Sequence, residues 1–113
     1  MNWIAVAGPY TSGGADAAER EKNLRAMNAA AAVCFDRGWT PVIGVNMATP
    51  LIDAAGEGRF LEIMQPLSNA LAARCDAILR IGRPSAGADA EVEIVRARGG
   101  VVYRDLNDAP RLK

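Results

Sequence analysis

The chain has 113 residues, half of them apolar and 23% charged, and its formal net charge is zero. That length supports one domain with a modest core, and the charge balance gives no basic surface of the kind nucleic acids or membranes require. There is no histidine and only two separated cysteines, which removes the commonest metal ligand and general base and argues against a zinc site.

No stretch is apolar for long enough to span a bilayer, and no basic segment precedes a signal-type apolar run. Cys34 and Cys75 sit inside apolar patterns and are expected buried and reduced in a cytoplasmic protein. Positive charge is almost entirely arginine, which suits carboxylate or phosphate partners.

Residues 2–7 read as a short apolar strand, followed by the loop Gly8-Pro9-Tyr10-Thr11-Ser12-Gly13-Gly14. Residues 17–37 read as a helix, with Leu24, Met27, Ala31, Cys34 and Phe35 at helical spacing and Gly38 as a left-handed cap. Residues 40–45 form the second strand. Residues 46–58 read as a loop with one helical turn at most. Residues 59–74 form the next helix, with an apolar stripe of Phe60, Ile63, Met64, Leu67 and Leu71, and Pro66 is expected to kink or restart it. Residues 76–81 are nearly all apolar, as in a central parallel strand. A helix over 86–98 follows, stopped by Gly99-Gly100, then a strand at 101–103 and an irregular tail containing Pro110.

Strands alternating with helices predict a three-layer α/β/α domain over residues 1–113, with a flavodoxin- or Rossmann-like, mainly parallel sheet of four to five strands. Ligands of such sheets bind beyond the carboxyl ends of the strands, where the strand order reverses. The loops after the first and third strands both fall at that edge.

The first loop has neither dinucleotide nor P-loop glycine spacing. It reads either as an ordinary turn or as a pocket wall, with Gly8 allowing close approach and Tyr10 stacking on a ligand. The loop at Ser85, Gly87 and Ala88 opens a helix, whose free N–H groups and dipole favour an anion. Glu91 lies a little further along that helix. Its i±3 and i±4 neighbours are Gly87, Ala88, Ile94 and Val95, so no local basic partner accounts for it. Glu93 has Arg96 three residues on and reads as a surface pair. Asp89 reads as a helix-start carboxylate, and Asp76 as a cap or turn acceptor at the far end of the third strand.

The segments Ala5-Val6-Ala7-Gly8-Pro9-Tyr10-Thr11, Gly38-Trp39-Thr40-Pro41-Val42, Cys75-Asp76-Ala77-Ile78-Leu79-Arg80 and Ser85-Ala86-Gly87-Ala88-Asp89-Ala90-Glu91, followed by Gly100-Val101-Val102, resemble the nucleoside 2-deoxyribosyltransferase superfamily. The likeness runs in order over nearly the whole chain and is closest to a small branch related to the 2′-deoxynucleoside 5′-phosphate N-hydrolases. It implies a nucleophilic Glu91 acting on C1′ of a deoxyribose, with Ser85 and Gly87 holding a 5′-phosphate. Gly8, Tyr10, Asn46 and Asp89 are the other substrate-binding candidates.

The resemblance implies a small-molecule nucleoside or nucleotide as partner and no cofactor, while the charge balance and the lack of histidine lead us to expect no nucleic-acid polymer, no membrane and no metal. It also implies a homo-oligomer, dimer or tetramer, in which a neighbour completes the pocket. Two positions depart from the family pattern. Ser68 stands where the family has an aspartate, and Ala5 where it often has a tyrosine. The sequence therefore leaves an active N-glycosidic-bond enzyme beside a catalytically silent nucleotide-binding domain, or another anion binder.

Overall fold

The computed structural model describes residues 2–113. Among these residues the strands β1 (Trp3–Ala7), β2 (Thr40–Val42), β3 (Ala77–Arg80) and β4 (Val101–Tyr103) form one sheet in the order β2-β1-β3-β4, every pair parallel. The helices are α1 (Ala17–Asp36), α2 (Gly44–Ala55), α3 (Phe60–Ala72) and α4 (Ala86–Ala97), with single 3-10 turns at Glu57–Arg59 and Leu106–Asp108. The expected Rossmann-like α/β architecture is present, with a four-stranded sheet. No helix among the described residues is long and apolar enough to cross a membrane.

Alternation along the strands builds two cores, because successive side chains point to opposite faces. Ile4, Val6, Ala77 and Leu79 meet Met27, Ala30, Ala31 and Cys34 of α1 on one face. Ala5, Ala7 and Ile78 meet Ala72 of α3, Cys75, and Ala88, Val92 and Val95 of α4 on the other. Alanines in the middle of β1 let the second helical layer approach closely. Both cysteines are free and buried, and burial pushes the Cys75 thiol up to about 11, as in an unreactive structural thiol.

Helix ends follow their local chemistry. Asp16 accepts from the Glu19 amide at 2.8 Å while Glu19 accepts from the Asp16 amide at 3.4 Å, a capping box that fixes the start of α1. Gly38 (φ 99°) ends the helix, as expected, with the Gly38 and Trp39 amides returning to Phe35 and Cys34 carbonyls. Asp76 accepts from the Trp3 amide at 2.9 Å, the turn-acceptor role read from its position.

Four expectations are corrected. Residues 44–55 are a three-turn helix, so β2 stops at Val42 and the supposed loop is α2. Pro66 lies inside a single α3, so the helix does not restart there, and its ring is exposed. Phe35 is 66% exposed rather than in the core. The tail is firmly docked: Arg37 donates to the Leu106 and Ala109 carbonyls at 2.6 and 2.9 Å, Trp39 donates to the Pro110 carbonyl at 2.9 Å, and Ala109 is buried. The Trp39 ring also meets Tyr103 edge-on, with centroids 6.0 Å apart. Hydrogen bonds from a charged donor each contribute about 1.5–3 kcal/mol. Arg37→Ala should therefore lower the unfolding free energy by about 2 kcal/mol or more in a urea titration, a loss readily separated from the scatter of surface substitutions.

Candidate functional site

Because β1 is flanked by β2 and β3, the chain leaves the sheet in opposite directions from its middle, and the loops there part to form a crevice. A cleft of about 250 Å³ opens at this edge. It is walled by Gly8, Tyr10 and Ser12 after β1, by Ser85, Gly87 and Ala88 at the start of α4, and by Glu91. Val45 of α2 and Met64, Gln65 and Ser68 of α3 close the opposite side.

Five of the seven residues singled out from sequence therefore converge: Gly8, Tyr10, Ser85, Gly87 and Glu91. Asn46 does not join them. It faces a separate groove with Met47 and Leu71 and donates to Asn28 Oδ1 at 2.7 Å. Asp89 does not line the cleft either; its carboxylate accepts from Arg80 Nε at 2.9 Å.

Ala5, at the position where a tyrosine was looked for, is 3% exposed and packs in the core beneath α3 and α4. Val45, Met64 and Gln65 also line the cleft, and the sequence marks none of them as a site residue. Val45, Ala48 and Ile52 at i, i+3 and i+7 were the available sign of α2. Gln65 and Ser68, polar at i and i+3 beside an apolar stripe, were the sign of a polar wall.

Local geometry holds the cleft open. Ser85 is the N-cap of α4, its Oγ accepting from the Ala88 amide at 3.3 Å, which leaves its hydroxyl proton free for a ligand. Gln65 reaches from α3 to the Gly87 carbonyl at 3.2 Å and to Asn69 at 2.7 Å, tying α3 to the first turn of α4. At Gly8 a Cβ would lie 3.1 Å from both the Ile81 side chain and its carbonyl, so the two loops touch backbone to backbone.

Glu91 stands in the second turn of α4 and is half-buried. No hydrogen-bond donor among the described residues meets its carboxylate, and burial pushes its pKa up to about 7, against a downward pull from the Arg80 guanidinium. Arg80 is itself buried, 7% exposed, and is spent on Asp89 and on the carbonyls of Ile81 and Arg83. The cleft thus holds a desolvated carboxylate whose nearest cation is committed elsewhere.

A larger cavity of about 520 Å³ adjoins it, sharing Tyr10 and Thr11, with Arg20, Asp53, Glu57 and Phe60 on its walls. Its acids are exposed, so the perturbed group remains Glu91 in the smaller cleft. Perturbed carboxylates in clefts mark functional sites more often than ordinary surface acids do. The chain matches no family model, no curated protein and no solved structure.

The raised pKa makes Glu91 a stability cost with a definite sign. In the unfolded chain the group ionises near its ordinary value of 4.5, whereas in the fold it keeps its proton to about 7. Between these values the folded state binds more protons, so its contribution to stability falls as pH rises and levels off above about 7. Glu91→Gln should remove that falling limb, leaving the variant the more stable protein at pH 8 and close to the parent at pH 4, measured as Tm against pH. A parent whose Tm difference from Glu91→Gln does not change across that window would contradict the desolvated carboxylate.

Proposed function

We propose that this protein is a nucleoside or nucleotide N-glycosidic-bond enzyme of the nucleoside 2-deoxyribosyltransferase type, a deoxyribosyltransferase or a deoxynucleotide N-hydrolase, with Glu91 as nucleophile. The observation that carries the reading is one cleft joining a desolvated, unpartnered Glu91 to the N-terminus of α4. The helix start offers amide donors and a hydroxyl to a 5′-phosphate. Glu91, about one turn along, stands apart from that anion and faces the sugar.

In the first step a Glu91 carboxylate oxygen bonds to C1′ as the C1′–N bond breaks, and the electron pair leaves on the base nitrogen. In the second, water or an acceptor base attacks C1′ and releases Glu91. This divides one difficult displacement into two, as retaining glycosidases do. The α3 wall carries Ser68 instead of an acid, so the departing base takes its proton from solvent. Absence of a positioned general acid costs about 10²–10⁴ in rate, and slow turnover is part of the proposal.

The reading places the protein in the cytoplasm as a homo-oligomer. Large apolar side chains left exposed on α2 and α3, Met47, Leu51 and Leu61, favour association. Ser68 also favours a second reading, a nucleotide-binding domain that holds its ligand without cleaving it.

The two readings separate on incubation with 2′-deoxynucleosides and their 5′-monophosphates, followed by chromatography for free base. The enzyme reading expects release that Glu91→Ala abolishes. Because the nucleophile must be ionised, kcat/KM should climb with pH and level off above about 7, tracking the Glu91 pKa. Binding without release from any compound would establish the silent domain, and release that survives Glu91→Ala would remove Glu91 from the mechanism.

A further inference from the structure

Ser68 is 4% exposed and lines the cleft, yet its hydroxyl has no hydrogen-bond partner among the described residues. The neighbouring α3 side chain Gln65 is satisfied by contrast, by Asn69 and the Gly87 carbonyl, and Cys75 just beyond the helix by the Leu71 carbonyl. No fully enclosed side-chain polar atom lacks a partner, and Ser68 is among the residues that line the cleft. A hydroxyl that no protein group meets is available to a ligand as both donor and acceptor.

The same wall carries the start of α2. Its N-cap, Ile43, supplies no side-chain acceptor, and Asn46 and Met47 are the first residues whose amides return to the Ile43 carbonyl. The Gly44 and Val45 amides come before that first bond, and Val45 lines the cleft. Ser68 lies directly on Gly44: a Cβ there would fall 2.2 Å from Ser68 Oγ. A free hydroxyl and a free helix start therefore occupy one side of a cleft that has Glu91 on another.

We infer that Ser68, with the Val45 amide, is the binding site for a sugar hydroxyl of the ligand, the 3′-hydroxyl of a 2′-deoxynucleotide. A hydroxyl both donates and accepts, as Ser68 does, and it can donate to a carboxylate nearby. A second anion on this wall would face Glu91 as a like charge. The inference rests on the proposed nucleotide reading and makes Ser68 a recognition residue where a missing acid would otherwise be all there is to say.

The test is binding of the four 2′-deoxynucleoside 5′-monophosphates against their 2′,3′-dideoxy counterparts, by calorimetry, for the parent, Ser68→Ala and the near-isosteric Ser68→Cys. One hydrogen bond to a group buried in its absence corresponds to about tenfold in Kd. The parent should prefer the 3′-hydroxyl compounds by about that factor. Both variants should bind the two sets equally, at the dideoxy level, while their melting temperatures stay at or above the parent's. A merely structural serine would lower the melting temperature and weaken both sets alike.

Persistence of the preference in Ser68→Ala and Ser68→Cys, or no preference in the parent, overturns the assignment. If the preference depends on Ser68 but no base is ever released, the recognition site stands and the enzyme reading falls. If base is released while the Ser68 variants keep the preference, the reverse holds. A parent that binds neither set overturns both.

Discussion

Everything at the cleft depends on β1 being paired on both sides, with β2 and with β3, in parallel. Parallel pairing puts the carboxyl ends of all three strands at one edge. Each strand then feeds its helix from that edge, so α2 and α4 begin near one another with α1's loop between them. Two neighbouring helix starts, one of them capped by Ser85, and one glycine-bearing loop are thus consequences of strand order. The alanines of β1 make the arrangement tight, since larger residues at Ala5 or Ala7 would push α3 and α4 away from the sheet.

Against that scaffold Glu91 is a local expense. Its carboxylate is desolvated, and the buried guanidinium beneath it is already claimed by Asp89 and two carbonyls. A protein arranged only for stability would place an apolar residue there. Unrelieved cost at a concave surface is a common property of sites whose missing partner is a ligand. Ser68 across the cleft is a neutral counterpart, a mostly buried serine on the cleft wall whose hydroxyl has no partner among the described residues.

Fold class was readable because β1 and β3 are short apolar runs and α1 carries a periodic face and a terminal glycine. The convergence of Gly8, Tyr10, Ser85, Gly87 and Glu91 was readable because strand-to-helix loops of a parallel sheet share an edge. α2 was masked in the sequence: Gly44, Asn46, Thr49 and Pro50 are weak helix formers, and only the spacing of Val45, Ala48 and Ile52, whose tertiary packing overrides them, marked a helix. Losing α2 also misplaced Asn46, which as a loop residue would have been free to turn toward the ligand. The docking of the tail escaped for another reason. It rests on Arg37 and Trp39 meeting backbone carbonyls some seventy residues away, and main-chain acceptors leave no mark in a sequence.

The contact of Gly44 with Ser68 restricts how this wall can change over generations. With Ser68 present, any side chain at 44 collides with its oxygen and Cβ at 2.2 and 2.6 Å. Position 44 can enlarge only after position 68 has lost its Cβ as well as its hydroxyl, or after α3 has moved, because the Ser68 Cβ alone lies 2.6 Å away. An acid at 68, in turn, is open to this lineage only while 44 remains glycine. The two sites therefore accept substitutions in a fixed order, and a gain at one forecloses the other.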